Sequence, residues 1–144
     1  MMQEKKQRRT RLTSSERKDW RNLPLEHWLT PTVHAMIIDL NREQFGVETY
    51  IPLRGWAFEQ GIIKRALTQY GPEALRETIT RAFREYRPTP QYPQLTAGFL
   101  IAYILPRLMP QVLAEQARAA KRAEQSDITA VNNGLTDDEI IDLL

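Results

Sequence analysis

The chain has 144 residues, 42% of them hydrophobic and 26% charged, with no cysteine and a formal net charge of +2. That length suits one compact domain with tails, and the apolar content excludes disorder throughout. The missing cysteines exclude a disulfide framework, a thiolate nucleophile and a Cys-ligated zinc.

Near-neutrality hides a sorted charge. Residues 1–22 hold eight basic and three acidic side chains, residues 23–110 nine and eight, and residues 111–144 three and seven. A basic head and an acidic tail around a balanced middle suit separate binding surfaces better than one reactive centre.

Residues 1–19 contain only Leu12 as a large aliphatic after the two initial methionines. They bury too little apolar surface to offset their ordering entropy, which predicts a flexible basic arm. Its cations Lys5, Lys6, Arg8, Arg9 and Arg11 can neutralise phosphates in a sequence-independent way. No aromatic precedes Trp20, so the arm itself is not a base-stacking element. A tail that merely solubilises the chain is the competing account.

Residues 20–125 form the expected helical domain, opened by Trp20, Leu23, Leu25 and Trp28. These aromatics, with Tyr50, Trp56 and Phe58, read as core or lid residues. A first helix starts at Thr30-Pro31, carries Val33, Ile37 and Leu40 at helical spacing, and stops at Gly46. Val47 to Leu53 reads as a connector without a pairing strand. A second helix covers about Gly55 to Tyr70 with Phe58, Ile62, Ile63, Ala66 and Leu67 in its stripe. Gly71-Pro72 separates it from a third, ending near Tyr86, whose buried face is Leu75, Ile79, Ala82 and Phe83.

Arg76, Arg84 and Arg87 can share the exposed side of this third helix. With Lys64 and Arg65 of the second helix, and with Tyr86 and Tyr92 nearby, they make a second candidate phosphate surface. A solvated face in which Glu77 pairs with Arg81 and Glu73 with Arg76 is the plainer alternative. Pro88, Pro90 and Pro93 then impose a stiff loop.

A fourth helix, Ala97 to about Leu105, is apolar nearly all round and reads as the centre of the bundle. Pro106 and Pro110 are expected to kink or restart it, and an alanine-rich fifth helix runs from Pro110 to about Gln125. Residues 126–134 read as a polar linker, and residues 135–144 as a short acidic-aliphatic docking helix opened by the capping box Thr136-Asp137-Asp138-Glu139. Asp138, Glu139, Ile140, Ile141, Leu143 and Leu144 are its candidate contacts to a protein partner. The fold class is therefore all-α, a compact bundle of four to five helices between a basic arm and an acidic terminus.

His27 and His34 lie seven residues apart, and Glu26 or Asp39 could join them on a metal, but Pro31 between them argues against one continuous face. No phosphate-cradling glycine loop, nucleophile elbow or paired-histidine zinc motif occurs. The expectation is a non-enzymatic protein without cofactor or metal. The basic start runs into polar sequence, and the apolar run at Ala97–Leu105 falls short of the roughly 20 residues that span a bilayer. A soluble, cytoplasmic protein is expected, with no membrane partner.

The succession Phe45-Gly46-Val47, Trp56, Ile62-Ile63-Lys64, Leu67, Tyr70-Gly71-Pro72-Glu73, Leu75, Ile79, Phe83, Tyr86 and Gly98-Phe99-Leu100 resembles small helical domains of phage and mobile-element replication accessory proteins. These include helicase-loader and DnaD-like C-terminal modules. The resemblance covers about residues 30–113 and implies a DNA-replication context. In DnaD-like modules a tyrosine-bearing final helix helps bind DNA, which corresponds here to Tyr103, Ile104 and Arg107. Pro106 falls inside that helix here, and the tryptophan that usually follows is absent. Joined to the charged ends, the resemblance leads to the expectation of a loader-type adaptor that touches nucleic-acid phosphates through the basic head and a protein partner, such as a helicase, through the acidic tail. The alternative is a protein-interaction factor that inhibits or redirects a host machine without binding nucleic acid.

Overall fold

The computed structural model describes residues 11–133. Its helices are α1 (Ser14–Lys18), α2 (Thr30–Phe45), α3 (Trp56–Tyr70), α4 (Pro72–Glu85), α5 (Ala97–Phe99) and α6 (Leu105–Asn133). A 3-10 turn covers Leu25–His27, a π-helical segment covers Leu100–Ile104, and no strand occurs among the described residues. The fold is all-α.

Helix starts and stops follow local chemistry. Thr30 and Pro31 open α2, where the Thr32 hydroxyl accepts a hydrogen bond from the Leu29 N–H at 3.1 Å. Gly46 closes it at φ 70°, a left-handed conformation that costs a glycine little. Gly71, at φ 84°, turns the chain between α3 and α4. The core joins Val33, Ile37 and Leu40 of α2, Ile63 of α3, and Leu75, Ile79 and Phe83 of α4 to Leu100, Leu105 and Met109. Burying each such side chain contributes about 1.5–3 kcal/mol before entropy is counted. Phe45 stacks on Phe83 at 5.7 Å, sealing one end.

Two parts of the chain depart from the sequence expectation. Thr13 and Glu16 form a reciprocal capping box, with both hydrogen bonds at 3.1 Å, so residues 14–18 are helical where a disordered arm was expected. Just beyond, Trp20 donates its indole N–H to Asp39 at 2.8 Å and Arg21 pairs with Glu43, fixing this entry onto α2.

The second departure concerns the prolines. Pro106 lies in the first turn of α6, directly after the π segment, where the Leu105 N–H reaches the Leu100 carbonyl. A π turn widens the helix ahead of the proline ring, so Pro106 neither ends nor restarts it. Pro110 also lies inside α6, which continues through residues 126–133, assigned to a polar linker from sequence. Ala97–Ala130 consequently forms one helical run long and apolar enough to cross a membrane by length and composition, and 44% of its most apolar window is buried. The chain divides into two compact units between Met109 and Pro110. The first holds the bundle; in the second, residues 117–130 are solvent-exposed.

The connector between α2 and α3 pairs with no strand, yet both backbone polar groups of Ile51 find a partner. The Gln94 side-chain amide accepts from the Ile51 N–H at 3.1 Å and donates to the Ile51 carbonyl at 2.7 Å. Asn41 makes the same two-bond clasp on Leu95, at 2.8 and 2.9 Å, from inside the core. Two side-chain amides thus satisfy the backbone of one residue each where no ladder is available.

Candidate nucleic-acid interface

The strongest polar constellation in the core is centred on Glu59, whose side chain has 0% solvent exposure. One carboxylate oxygen, Oε1, accepts from His34 Nε2 at 2.9 Å and from the Tyr50 hydroxyl at 2.6 Å. The other, Oε2, accepts from the backbone N–H groups of Leu53 at 2.9 Å and Gly98 at 3.0 Å. Tyr50 in turn accepts from the Ala97 N–H at 2.8 Å. Burial alone raises the Glu59 carboxyl pKa, but these hydrogen bonds outweigh it and hold the group below its ordinary value near 4.5. Burial, reinforced by the neighbouring carboxylate, pushes the Tyr50 hydroxyl well above the usual phenol range. A carboxylate has about four lone-pair sites, and all four are taken here. Glu59 has no acceptor position left for a substrate proton. It fastens α2, α3, the connector and the start of α5 together.

Close packing marks the same junction. A Cβ added at Gly98 would lie 2.7 Å from Leu53 Cδ2 and 2.9 Å from Leu53 Cβ. Gly98→Ala is therefore expected to destabilise the protein by about 1–3 kcal/mol, read as a lower urea midpoint with an unchanged slope.

The histidines are separated in role as well as in sequence. His27 is exposed in the 3-10 turn, with Glu26 3.8 Å away, while His34 is buried on Glu59. No group of three or more potential metal ligands occurs among the described residues.

The phosphate candidates divide into described and undescribed residues. Lys5, Lys6, Arg8 and Arg9 lie outside the described residues, as do Asp138, Glu139, Ile140, Ile141, Leu143 and Leu144. Arg11 is exposed just before α1. Arg76, Arg84 and Arg87 are all exposed, and Arg76, Thr80 and Arg84 follow one another at four-residue spacing along α4. Arg76 and Arg84 make no ion pair among the described residues, so the expected Glu73–Arg76 pair is absent; Arg81 does meet Glu77, at 3.0 Å. Arg87 folds back to donate to the Arg84 carbonyl at 3.2 Å. Lys64 and Arg65 are exposed on α3.

Beside the C-terminal end of α4 runs an aromatic row. Tyr86 meets Phe99 at 6.4 Å, and Phe99 meets Tyr103 at 5.1 Å. Tyr103 is 69% exposed and Phe99 is also solvent-facing. Arg107, one turn beyond Tyr103, pairs with Glu85 and so ties this helix to the end of α4. Ile104 is buried, which removes it from the surface that the resemblance assigned to Tyr103, Ile104 and Arg107. Tyr92, also exposed, holds the Tyr86 hydroxyl through its carbonyl at 2.9 Å. At 3.6 residues per turn Arg84 lies about 160° round α4 from Tyr86, so the arginine row and the aromatic row leave this helix on different sides. An exposed aromatic pair can stack bases, and exposed arginines can neutralise phosphates.

Sequence reasoning missed Glu59, Asn41 and Gln94, and it did not connect Phe99 with Tyr103. A signal for Glu59 was present: it stands in register with Ile63 and Ala66, an acid on the apolar stripe of α3. Comparison with protein-family models, with curated proteins and with solved structures finds no match.

Proposed function

We propose that the protein is a non-catalytic adaptor that binds a single nucleic-acid strand, with the exposed Phe99–Tyr103 pair stacking its bases and Arg76, Arg84 and Arg87 meeting its phosphates. The observation carrying this reading is the exposed Phe99–Tyr103 pair beside the C-terminal end of α4, where Arg84 has no acidic partner among the described residues. Stacking tolerates any base, and guanidinium contacts follow the backbone, so the mode is strong in charge and weak in sequence preference. Lys5, Lys6, Arg8, Arg9 and Arg11 add electrostatic attraction, and the acidic-aliphatic residues Asp138 to Leu144 supply a separate contact to a protein of the replication machinery. Tethering then raises the local concentration of one partner near the other. The resemblance to phage and mobile-element accessory domains supports the replication setting, and the cytoplasm is the proposed compartment.

Fluorescence anisotropy with a labelled single-stranded oligonucleotide tests this. Tyr103→Ala is expected to weaken binding by about 1–3 kcal/mol, the worth of one stacked base. The double change Arg84→Ala/Arg87→Ala is expected to flatten the log K against log salt slope by about 1.4. No binding at low salt would overturn the nucleic-acid reading and favour a factor that acts on proteins alone.

A further inference from the structure

Between α2, α3 and the end of α1 lies an open cleft of about 420 Å³. Trp56 forms its aromatic wall, His34, Ala35 and Ile38 its floor, and Lys18, Asp39 and Gln60 bring polar groups to it. None of this takes part in the interface at α4.

The aromatic wall is held in place. Arg54 at φ 59° and Gly55 at φ 95° turn the connector so that Trp56 begins α3. Its indole lies edge-on to His34 at 5.0 Å and near Tyr50 at 5.8 Å, both hydrogen-bonded to Glu59. The ring nevertheless stays 48% exposed, an oriented plate with an open side. A plate fixed before binding loses little rotamer freedom when something stacks on it.

The polar groups select among occupants. Asp39 Oδ2 accepts from Trp20 and Oδ1 from Arg42, which fixes the carboxylate while leaving acceptor capacity on each oxygen. Gln60 and Lys18 are exposed and make no side-chain hydrogen bond or ion pair among the described residues. An aliphatic side chain entering the cleft would desolvate these groups without pairing them, at a cost. A planar heterocycle with an amino group, linked to a phosphate, would stack on Trp56, donate to Asp39, bond Gln60 and place its anion near Lys18.

We propose that this cleft is a nucleotide subsite for a base with an exocyclic amino group, in which Trp56 stacks the base, Asp39 and Gln60 read its edge and Lys18 meets its phosphate. The nucleotide is either free or one unit of a bound strand, and the chemistry required is the same. The subsite goes beyond the strand-binding function and does not depend on it, since the two use different residues.

Nuclear magnetic resonance on the full chain separates the outcomes. Guanosine and cytidine monophosphates are expected to shift the Trp56 indole N–H and the Gln60 side-chain amide in a saturable way, with Kd on the order of 1 mM. Uridine monophosphate, whose base has no amino group, should bind several-fold more weakly, and Lys18→Ala should weaken guanosine monophosphate about tenfold. Both responses should persist in Arg84→Ala/Arg87→Ala, so failure of the α4 interface leaves this result readable. If only an oligonucleotide moves these signals, and Gln60→Ala abolishes that movement at Trp56, the base reaches the cleft as part of a strand. Ribose 5-phosphate shifting Trp56 as strongly as the nucleotides would overturn base recognition. No response to any nucleotide or strand would overturn the subsite, whatever the strand affinity proves to be.

Discussion

Replacing Glu59 with alanine is expected to cost about 3–5 kcal/mol, the largest effect of any single polar substitution in the described core. The change strands His34 Nε2, the Tyr50 hydroxyl and the Leu53 and Gly98 N–H groups together. Each buried donor left without an acceptor costs about 1–3 kcal/mol, and an entering water recovers part of the total. A domain this size has about 5–15 kcal/mol of stability, so the variant should sit near the edge of folding. Urea unfolding followed by far-ultraviolet circular dichroism measures it. Glu59→Gln keeps the volume and one acceptor oxygen but turns an NH2 toward donors, and it should fall between alanine and the native protein.

The same carboxylate predicts an acid dependence of known sign. Its folded pKa lies below the ordinary value near 4.5, so its contribution is fully present above that pH. The contribution is lost as pH falls through 4.5 and below, because the unfolded chain takes up the proton first. Tyr50 acts at the other limit: with its folded pKa raised above 10.0, stability is expected to decline once the unfolded chain can ionise there. Glu59→Gln should show a flatter stability profile on the acid side than the native protein. An identical acid slope in both proteins would place the titrating group elsewhere.

Asn41→Leu is the second large effect, about 2–4 kcal/mol, because a nearly isosteric apolar side chain removes every partner at once. Asn41 donates to the carbonyls of Ile37 at 2.8 Å and Leu95 at 2.9 Å, and accepts from the Leu95 N–H at 2.8 Å. All of these groups are buried with it. Beyond the lower midpoint, amide hydrogen exchange gives a local signature. Protection at Leu95 should collapse in the variant while that of Ile79 and Phe83, on the buried face of α4, falls only with global stability. Retained protection at Leu95 would mean that another acceptor takes over and that the clasp is dispensable.

How much of this was legible depends on the range of the interaction. The spans of α2, α3 and α4 follow from proline starts, glycine stops and apolar spacing, all of which act within one or two turns. The boundary at Pro106 was misread because a proline's effect depends on the turn before it. The π segment at Leu100–Ile104 relieves the clash, and no local rule announces that segment. Residues 13–18 were misread for the opposite reason, since Thr13 and Glu16 carry a local capping signal inside a stretch judged by its composition. The arginines of α4 were found because exposed residues at helical spacing need no tertiary information. Tyr103 was reached only by resemblance, and the buried Ile104 shows where residue-by-residue transfer fails.

The sequence by itself determined an all-α chain, the faces that turn inward on α2 to α4, and the segregation of charge between its two ends. Those properties are written in periodicity and composition, which act locally. Only the tertiary structure decided that Glu59 is enclosed by four donors from three other segments, that Asn41 and Gln94 clasp Leu95 and Ile51, and that Trp56 is held open over a cleft. These join residues six to fifty-four positions apart. Pairing at such distance is selected by how helices pack, because a polar group can be buried only where the fold delivers its partners.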